Sequence, residues 1–233
     1  MEPVDVANTF FTILALLANA AVATAVVLAG ATLVSGSARR LAGSVVDVVG
    51  PSAGLLAWFV AATATLGSLY YSEIADFVPC RLCWFQRICM YPLAVVLLVG
   101  VVLRDRRMRW YAVPFVAAGV PLSLYHFLME RGVFTESRAC SATVPCAVPW
   151  FTELGFVTLA YMALSGFLLI GTLLLVDGVW ERRWRTADPA GPDEATGVPT
   201  GNHGGPGDAH EEQADAPAAD DEPGPDPALE VRT

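Results

Sequence analysis

The stretch from Leu154 to Val176, LGFVTLAYMALSGFLLIGTLLLV, runs for 23 residues without a charged side chain. A helix needs about 20 apolar residues to cross a hydrocarbon layer of about 30 Å. Four other stretches have the same character: Val6–Ala38 with 33 residues, Val48–Ser72 with 25, Ile88–Leu103 with 16, and Trp110–Met129 with 20, where only His126 titrates near neutral pH. Hydrocarbon offers a backbone amide no partner, so each span must satisfy its own N–H and C=O groups as a helix. The short alternating segments of a membrane β-barrel do not occur in this sequence. The expected fold is an all-α integral membrane protein with five spans.

The first span differs from a cleaved signal peptide. Such a peptide opens on basic residues and has an apolar core of about 7–15 residues. Here the chain opens on the acidic Met1-Glu2-Pro3-Val4-Asp5, and a much longer apolar run follows, so this span is expected to stay as a helix.

Of the 233 residues, 55% are hydrophobic and 16% charged, a shift away from soluble domains in both respects. The net charge of −9 describes the C-terminal end alone: residues 186–233 hold 12 of the 23 acids and one Arg, with eight Pro and seven Gly. Residues 1–185 keep 13 Arg against 11 acids, a net +2, with no basic stripe suited to nucleic acid. The tail has too little apolar surface to fold and reads as a disordered, acidic, Pro/Gly-rich segment. Its Gly201–Gly207 glycine run has no strand before it, so it is no dinucleotide loop. His203 and His210 read as solvated linker.

Arginine placement sets the expected orientation. Arg39 and Arg40 follow span one; Arg104, Arg106, Arg107 and Arg109 follow span three; Arg182, Arg183 and Arg185 follow span five. All fall on one side if every helix crosses, and that side is cytoplasmic by the positive-inside rule. The N-terminus, the loop around Glu73–Cys83 and the loop Glu130–Glu153 are then outside, and these loops hold four of the five cysteines.

An oxidising exterior permits disulfides. Cys80 and Cys83 stand in Pro79-Cys80-Arg81-Leu82-Cys83-Trp84 at the outer mouth of span three, and Cys140 and Cys146 lie in the second outer loop. Both spacings suit local closure. Closing so small a loop removes little unfolded-chain entropy, and small strained loops are the exchangeable kind, so redox work explains these pairs better than stapling does. Cys83 falls in the first turn of its helix, where the helix dipole favours a thiolate, and Arg87 lies four residues on along the same face. Arg87 also fits an interfacial snorkelling anchor. His126 lies at similar depth near the outer end of span four, where the two donors could hold a polar ring from the membrane; a histidine satisfied by a neighbouring helix is the plainer reading. Cys89, six residues after Cys83, points elsewhere and reads as a small buried apolar residue. The chain carries no flavin or nicotinamide fingerprint and no haem-attachment motif. A membrane-soluble acceptor, a quinone, fits an inner pair at the lipid boundary.

Leu66-Gly67-Ser68-Leu69-Tyr70-Tyr71-Ser72-Glu73-Ile74, Val78 through Arg87, Met90-Tyr91-Pro92, Ser123 through Leu128, the Cys140–Cys146 loop and Gly155-Phe156-Val157-Thr158 together resemble the disulfide bond formation protein B family (DsbB), in its short-loop BdbC-type branch. The resemblance runs from about Trp58 to Leu175. It implies a four-helix bundle that reoxidises an extracytoplasmic thioredoxin-fold thiol oxidase (DsbA- or BdbD-like) and passes the electrons to menaquinone or ubiquinone. It implies that Cys140 is attacked by the partner's thiolate, that Cys146 is its mate, and that Cys80 and Cys83 take the electrons next, with Cys83 at the quinone. Gln86, Arg87 and His126 fall on positions associated with the quinone. The chain then divides into residues 1–50, an extra N-terminal membrane helix with a cytoplasmic loop; 51–185, the four-helix redox bundle; and 186–233, the cytoplasmic tail. The resemblance implies a multi-pass protein of a prokaryotic cytoplasmic membrane. No resident metal is expected.

Two alternatives stand beside this reading. A reductase like the vitamin K epoxide reductase family also uses Cys-x-x-Cys and a quinone-like ring, but there the loop pair precedes the Cys-x-x-Cys. A membrane protein binding metal through four thiolates fits poorly with the five-residue spacing inside the loop pair and with an oxidising compartment.

Overall fold

In the computed structural model, which describes residues 3–134, 140 and 144–187, the five charge-free stretches fall mainly within five long helices. These are α1 (Pro3–Ala31), α2 (Gly36–Glu73), α3 (Arg81–Val102), α4 (Met108–Glu130) and α5 (Leu159–Ala187). All five are long and apolar enough to cross a membrane, as the sequence predicts.

One boundary departs from expectation. The segment read as a cytoplasmic loop ahead of the second span is mostly helix, because α2 starts at Gly36 and runs 38 residues. At 1.5 Å per residue that is roughly 57 Å, well beyond the hydrocarbon thickness, so one end projects from it. Charge marks where a span leaves lipid, not where a helix stops. Ser35 is extended (φ −133°, ψ 126°) and its side chain accepts from the Ala38 N–H, which fixes the true start. The acidic tail of the sequence reading lies outside the described residues, apart from Thr186 and Ala187, which continue α5.

Helix α5 touches the other four, and α2–α5 form the bundle core, centred on Leu93, Leu97, Ala112, Phe167 and Ile170. Between helices in lipid there is no water to expel, so association depends on close fit, and small residues allow it. Gly119 of α4 shows this: a Cβ there would collide with the Phe167 ring of α5. Helix α1 packs on α5 and α2 and on no other described helix. Two polar ties hold it: Asn19 Nδ2 donates to Ser165 Oγ (2.6 Å), and the Tyr71 hydroxyl donates to Asn8 Oδ1 (2.9 Å). At the opposite end, Glu181, only 4% exposed, pairs with Arg109 of α4 and with Arg185 at 2.5 Å, while Arg183 reaches Asp47 of α2 at 3.1 Å.

Gly119→Val should destabilise the bundle by about 1–3 kcal/mol through overpacking. Gly30→Ala, at a position with nothing within 4 Å of the added methyl, should leave it unchanged or slightly firmer. Thermal unfolding of both variants in mild detergent checks this; equal losses would refute the packing account.

Candidate functional site

The site begins where α3 begins. Pro79 leads into Cys80, whose extended backbone (φ −67°, ψ 171°) makes it the helix N-cap. Its sulfur accepts the Cys83 backbone N–H at 3.2 Å, so a thiol fills the role that an Asp or Ser side chain usually takes. Cys83 therefore sits in the first turn, as expected, and its sulfur lies 2.7 Å from that of Cys80. Both are free thiols here, within easy reach of a disulfide bond of about 2.05 Å.

Three donors converge on the Cys80 sulfur: the Cys83 thiol, the Cys83 N–H and the His126 ring, whose Nε2 lies 3.7 Å away. They lower the Cys80 thiol from 9.0 to about 4, with the Cys83 thiol the main cause and the imidazole next among the favourable ones, against the opposing effect of burial. The sequence reading gave the thiolate to Cys83 because of the helix dipole. The capping geometry instead aims the helix's free N–H at Cys80, so Cys80 is the stabilised thiolate of the reduced pair.

His126 is 3% exposed and fully engaged. Gln86 Nε2 donates to Nδ1 (3.3 Å), which leaves the ring proton on Nε2, facing the Cys80 sulfur and the Cys146 carbonyl oxygen at 3.2 Å. Behind it Glu130 Oε1 lies 3.8 Å from Nε2, and Thr158 Oγ1 donates to Glu130 Oε2 at 2.5 Å. One imidazole thus ties α3, α4 and the second cysteine loop together. In that loop Cys140 and Cys146 are disulfide-bonded, with Cα atoms 5.9 Å apart, and Cys146 is buried in one cluster with Cys80, Leu82 and Met129.

On the other side of Cys83 lies a cavity of about 320 Å³ between α1, α2, α3 and α5. Its polar wall is Cys83, Gln86, Arg87 and Ser68; Phe77, Trp150 and Tyr71 stand over it. Arg87 is held by Ser68, donating from Nε to Oγ (3.0 Å) and from a terminal nitrogen to the carbonyl (2.9 Å), and its guanidinium lies 5.4 Å from the centre of the Trp84 ring. Phe77 stacks between Tyr71 (5.6 Å) and Trp150 (4.8 Å), pinning both cysteine loops to the end of α2.

The predicted site residues thus gather into two groups sharing Cys83 and Gln86. Arg87 faces the cavity. His126 does not line it, contrary to the idea of two donors holding one ring: both its nitrogens are committed on the thiol side. Cys89 packs against the apolar core, as expected. The sequence reading missed Glu130, the Tyr71–Phe77–Trp150 stack, and the α1 residues Phe11, Leu14, Ala15 and Ala18 that close the cavity. Cys80, Cys83 and His126 offer three ligand atoms within 4.8 Å, which a soft divalent metal could use only while that pair stays reduced. The four-thiolate alternative loses two of its ligands to the Cys140–Cys146 bond.

Residues 51–176 match the family described as "Disulfide bond formation protein DsbB". "Probable disulfide formation protein C 1" of Bacillus anthracis is 44% identical over 115 residues, covering 49% of this chain and 83% of the relative. "Disulfide bond formation protein C" of Bacillus subtilis is 41% identical over 114 residues, 48% of this chain and 83% of the relative. No solved structure matches the chain significantly. The match spans α2 to α5 and leaves α1 outside it.

In the reduced protein, Cys80 should remain a thiolate until the pH falls through about 4, since its pKa is lowered and protonation comes only below it. Peptide-resolved alkylation rates across pH measure this. Cys83→Ala should raise the midpoint most and His126→Ala less; a midpoint near 8–9 in the unmodified protein, the range of an ordinary cysteine, would refute the assignment.

Proposed function

The chain belongs to the disulfide bond formation protein DsbB family, a multi-pass membrane protein of disulfide-bond formation, and on that premise we propose that it is a thiol:quinone oxidoreductase. It takes two electrons from a reduced thioredoxin-fold oxidase outside the cytoplasm and delivers them to a membrane quinone. One observation carries the reading: the Cys80/Cys83 pair lies between the buried Cys146 end of a disulfide on one side and an apolar-walled cavity bearing Arg87 on the other.

The electron balance is simple. A partner thiolate attacks Cys140, the Cys140–Cys146 bond breaks, and a mixed disulfide forms. The partner's second thiolate releases Cys140, so the partner leaves oxidised and both loop cysteines are thiols. The Cys146 thiolate then attacks Cys80 of an oxidised Cys80–Cys83 pair, and Cys83 departs as a thiolate. Cys140 closes back on Cys146, leaving Cys80 and Cys83 reduced. Their reoxidation sends two electrons and two protons to the quinone, giving quinol.

The residues around the pair suit these steps. The charge on Cys80 is spread over the helix N-terminus and the His126 N–H, which makes it a good leaving sulfur. Burial of Cys146 beside Cys80 favours exchange between the two pairs with water excluded. The cavity accepts an apolar-bodied ring, and Gln86 and Arg87 can donate to its carbonyl oxygens. The relatives' names point to the same process. The N-terminus and both cysteine loops face outward in this scheme, with the tail in the cytoplasm.

Cys83→Ser and Cys140→Ser should each reduce thiol-driven quinone reduction to background, followed by quinone absorbance; wild-type rates in either would sink the relay. Mixed with the partner in its disulfide form, Cys146→Ala should accumulate a mixed disulfide, as the lone Cys140 thiolate attacks the partner's disulfide and one partner sulfur leaves, and Cys140→Ala should not. Arg87→Gln removes a charge-assisted bond of about 1.5–3 kcal/mol, so the quinone KM should rise roughly ten- to hundredfold. After mild reduction, an impermeant maleimide on intact cells should label the Cys140–Cys146 pair; labelling from the cytoplasmic face alone would reverse the orientation.

A further inference from the structure

The cavity beside Cys83 adjoins a second feature. A shallower groove follows the seam between α1 and α2, lined by Ala7, Phe10, Leu66 and Tyr70, and it shares Phe11, Thr63 and Gly67 with the cavity. Between the two stands the Phe11 ring, laid against Gly67 so closely that a Cβ at 67 would come within 2.6 Å of it. Only glycine allows α2 to accept the ring there. The seam is the looser of the two contacts of α1, which packs more extensively on α5. Its outer rim is apolar and exposed: Val6, Phe10 and Leu66 are each more than half accessible on spanning helices.

A chamber with polar groups at its inner wall and an apolar groove leading out fits one ligand shape, a polar ring carrying a long apolar tail. We propose that the α1–α2 seam is the tail channel of the acceptor site: the ring lies in the cavity beside Cys83, and the tail passes Phe11 and Gly67 into the groove lined by Ala7, Phe10 and Leu66. The inference rests on reading the cavity as the quinone site and extends it. It assigns α1, which lies outside the matched residues 51–176, a part in selecting the acceptor by its tail. Asn8 and Asn19 serve this as positioning residues, because their bonds to Tyr71 and Ser165 fix α1 against the cavity. A phospholipid acyl chain resting in the groove is the competing occupant, and the test separates the two.

The experiment uses the full chain in detergent, with dithiothreitol as electron donor and two quinones of identical ring, one with a long isoprenoid tail and one without a tail. Leu66→Trp and Ala7→Trp obstruct the groove from its two sides, at residues that do not line the cavity. For each, the ratio of KM for the tailed quinone to KM for the tail-free one should rise about tenfold, the equivalent of fewer than two buried methylenes, while kcat holds. Val26→Trp, on an exposed part of α1 outside both features, should keep the wild-type ratio. An unchanged ratio in both groove variants overturns the channel and leaves the acyl-chain occupant. So does a ratio that rises equally in Val26→Trp, or turnover of the tail-free quinone lost along with the tailed one. If the wild-type chain reduces neither quinone, the quinone reading itself fails, and the channel with it.

Discussion

A single sulfur fixes the rest of the site. Cys80 caps α3 by accepting the Cys83 N–H, and its extended backbone ends the helix at that point. With the start of α3 set at Arg81, helical phase places the other side chains. Cys83 stands beside Cys80, Arg87 lies one turn deeper with only about 40° of rotation from Cys83, and Gln86 lies about 60° to the other side of Cys83, toward His126. A slip of one residue would turn each of these by about 100°. It would take Arg87 off Ser68 and Gln86 off His126.

The polar groups that this register gathers are costly to hold beside lipid, and each has a partner. Arg87 gives two of its five donors to Ser68, His126 is satisfied at both nitrogens, and Glu130 accepts from Thr158 at the approach to α5. In hydrocarbon an unpaired polar group has no water to fall back on, so such networks tolerate few arrangements. That intolerance is useful here. It keeps the thiols, the imidazole and the guanidinium in fixed relation to one another.

Hydropathy made the spans legible because lipid imposes one requirement on all of them: Leu154–Val176 reads as a membrane helix in any context. The cysteine pairs and Arg87 were legible because Cys-x-x-Cys at a helix start and a charge one turn later carry their own geometry. What escaped was whatever depends on how helices rotate against one another. The depth of His126 matched that of Arg87, yet rotation of α4 turns the ring toward Cys80 and away from the cavity. The dipole of a first turn favours a thiolate at Cys83, whereas the direction of one capping N–H favours Cys80. Asn8 and Asn19 stood in plain view as polar residues three turns apart in an apolar helix, a signal of a helix face with a partner. Glu130 read as a loop residue because the end of α4 cannot be told from the first residue of the connection after it.

In the proposed relay, two cysteine pairs answer a conflict that one pair would face. Exchange with a protein in water requires a sulfur that an incoming thiolate can approach in line with the bond being broken, whereas delivery to a lipid-soluble acceptor requires a sulfur held at the edge of an apolar cavity. Cys80 and Cys83 suit the second requirement, since their positions are set by the cap and first turn of a helix that is itself fixed in the bundle. Cys140 and Cys146 belong to a connection with no helix among its described residues. It is tied to the bundle chiefly through Cys146, whose carbonyl accepts from His126 and whose side chain packs with Cys80. Cys140, half-buried, packs against the same cluster without a hydrogen bond to the imidazole among the described residues. In the proposed relay, this asymmetry within the loop pair would let Cys140 receive electrons and Cys146 hand them on to Cys80.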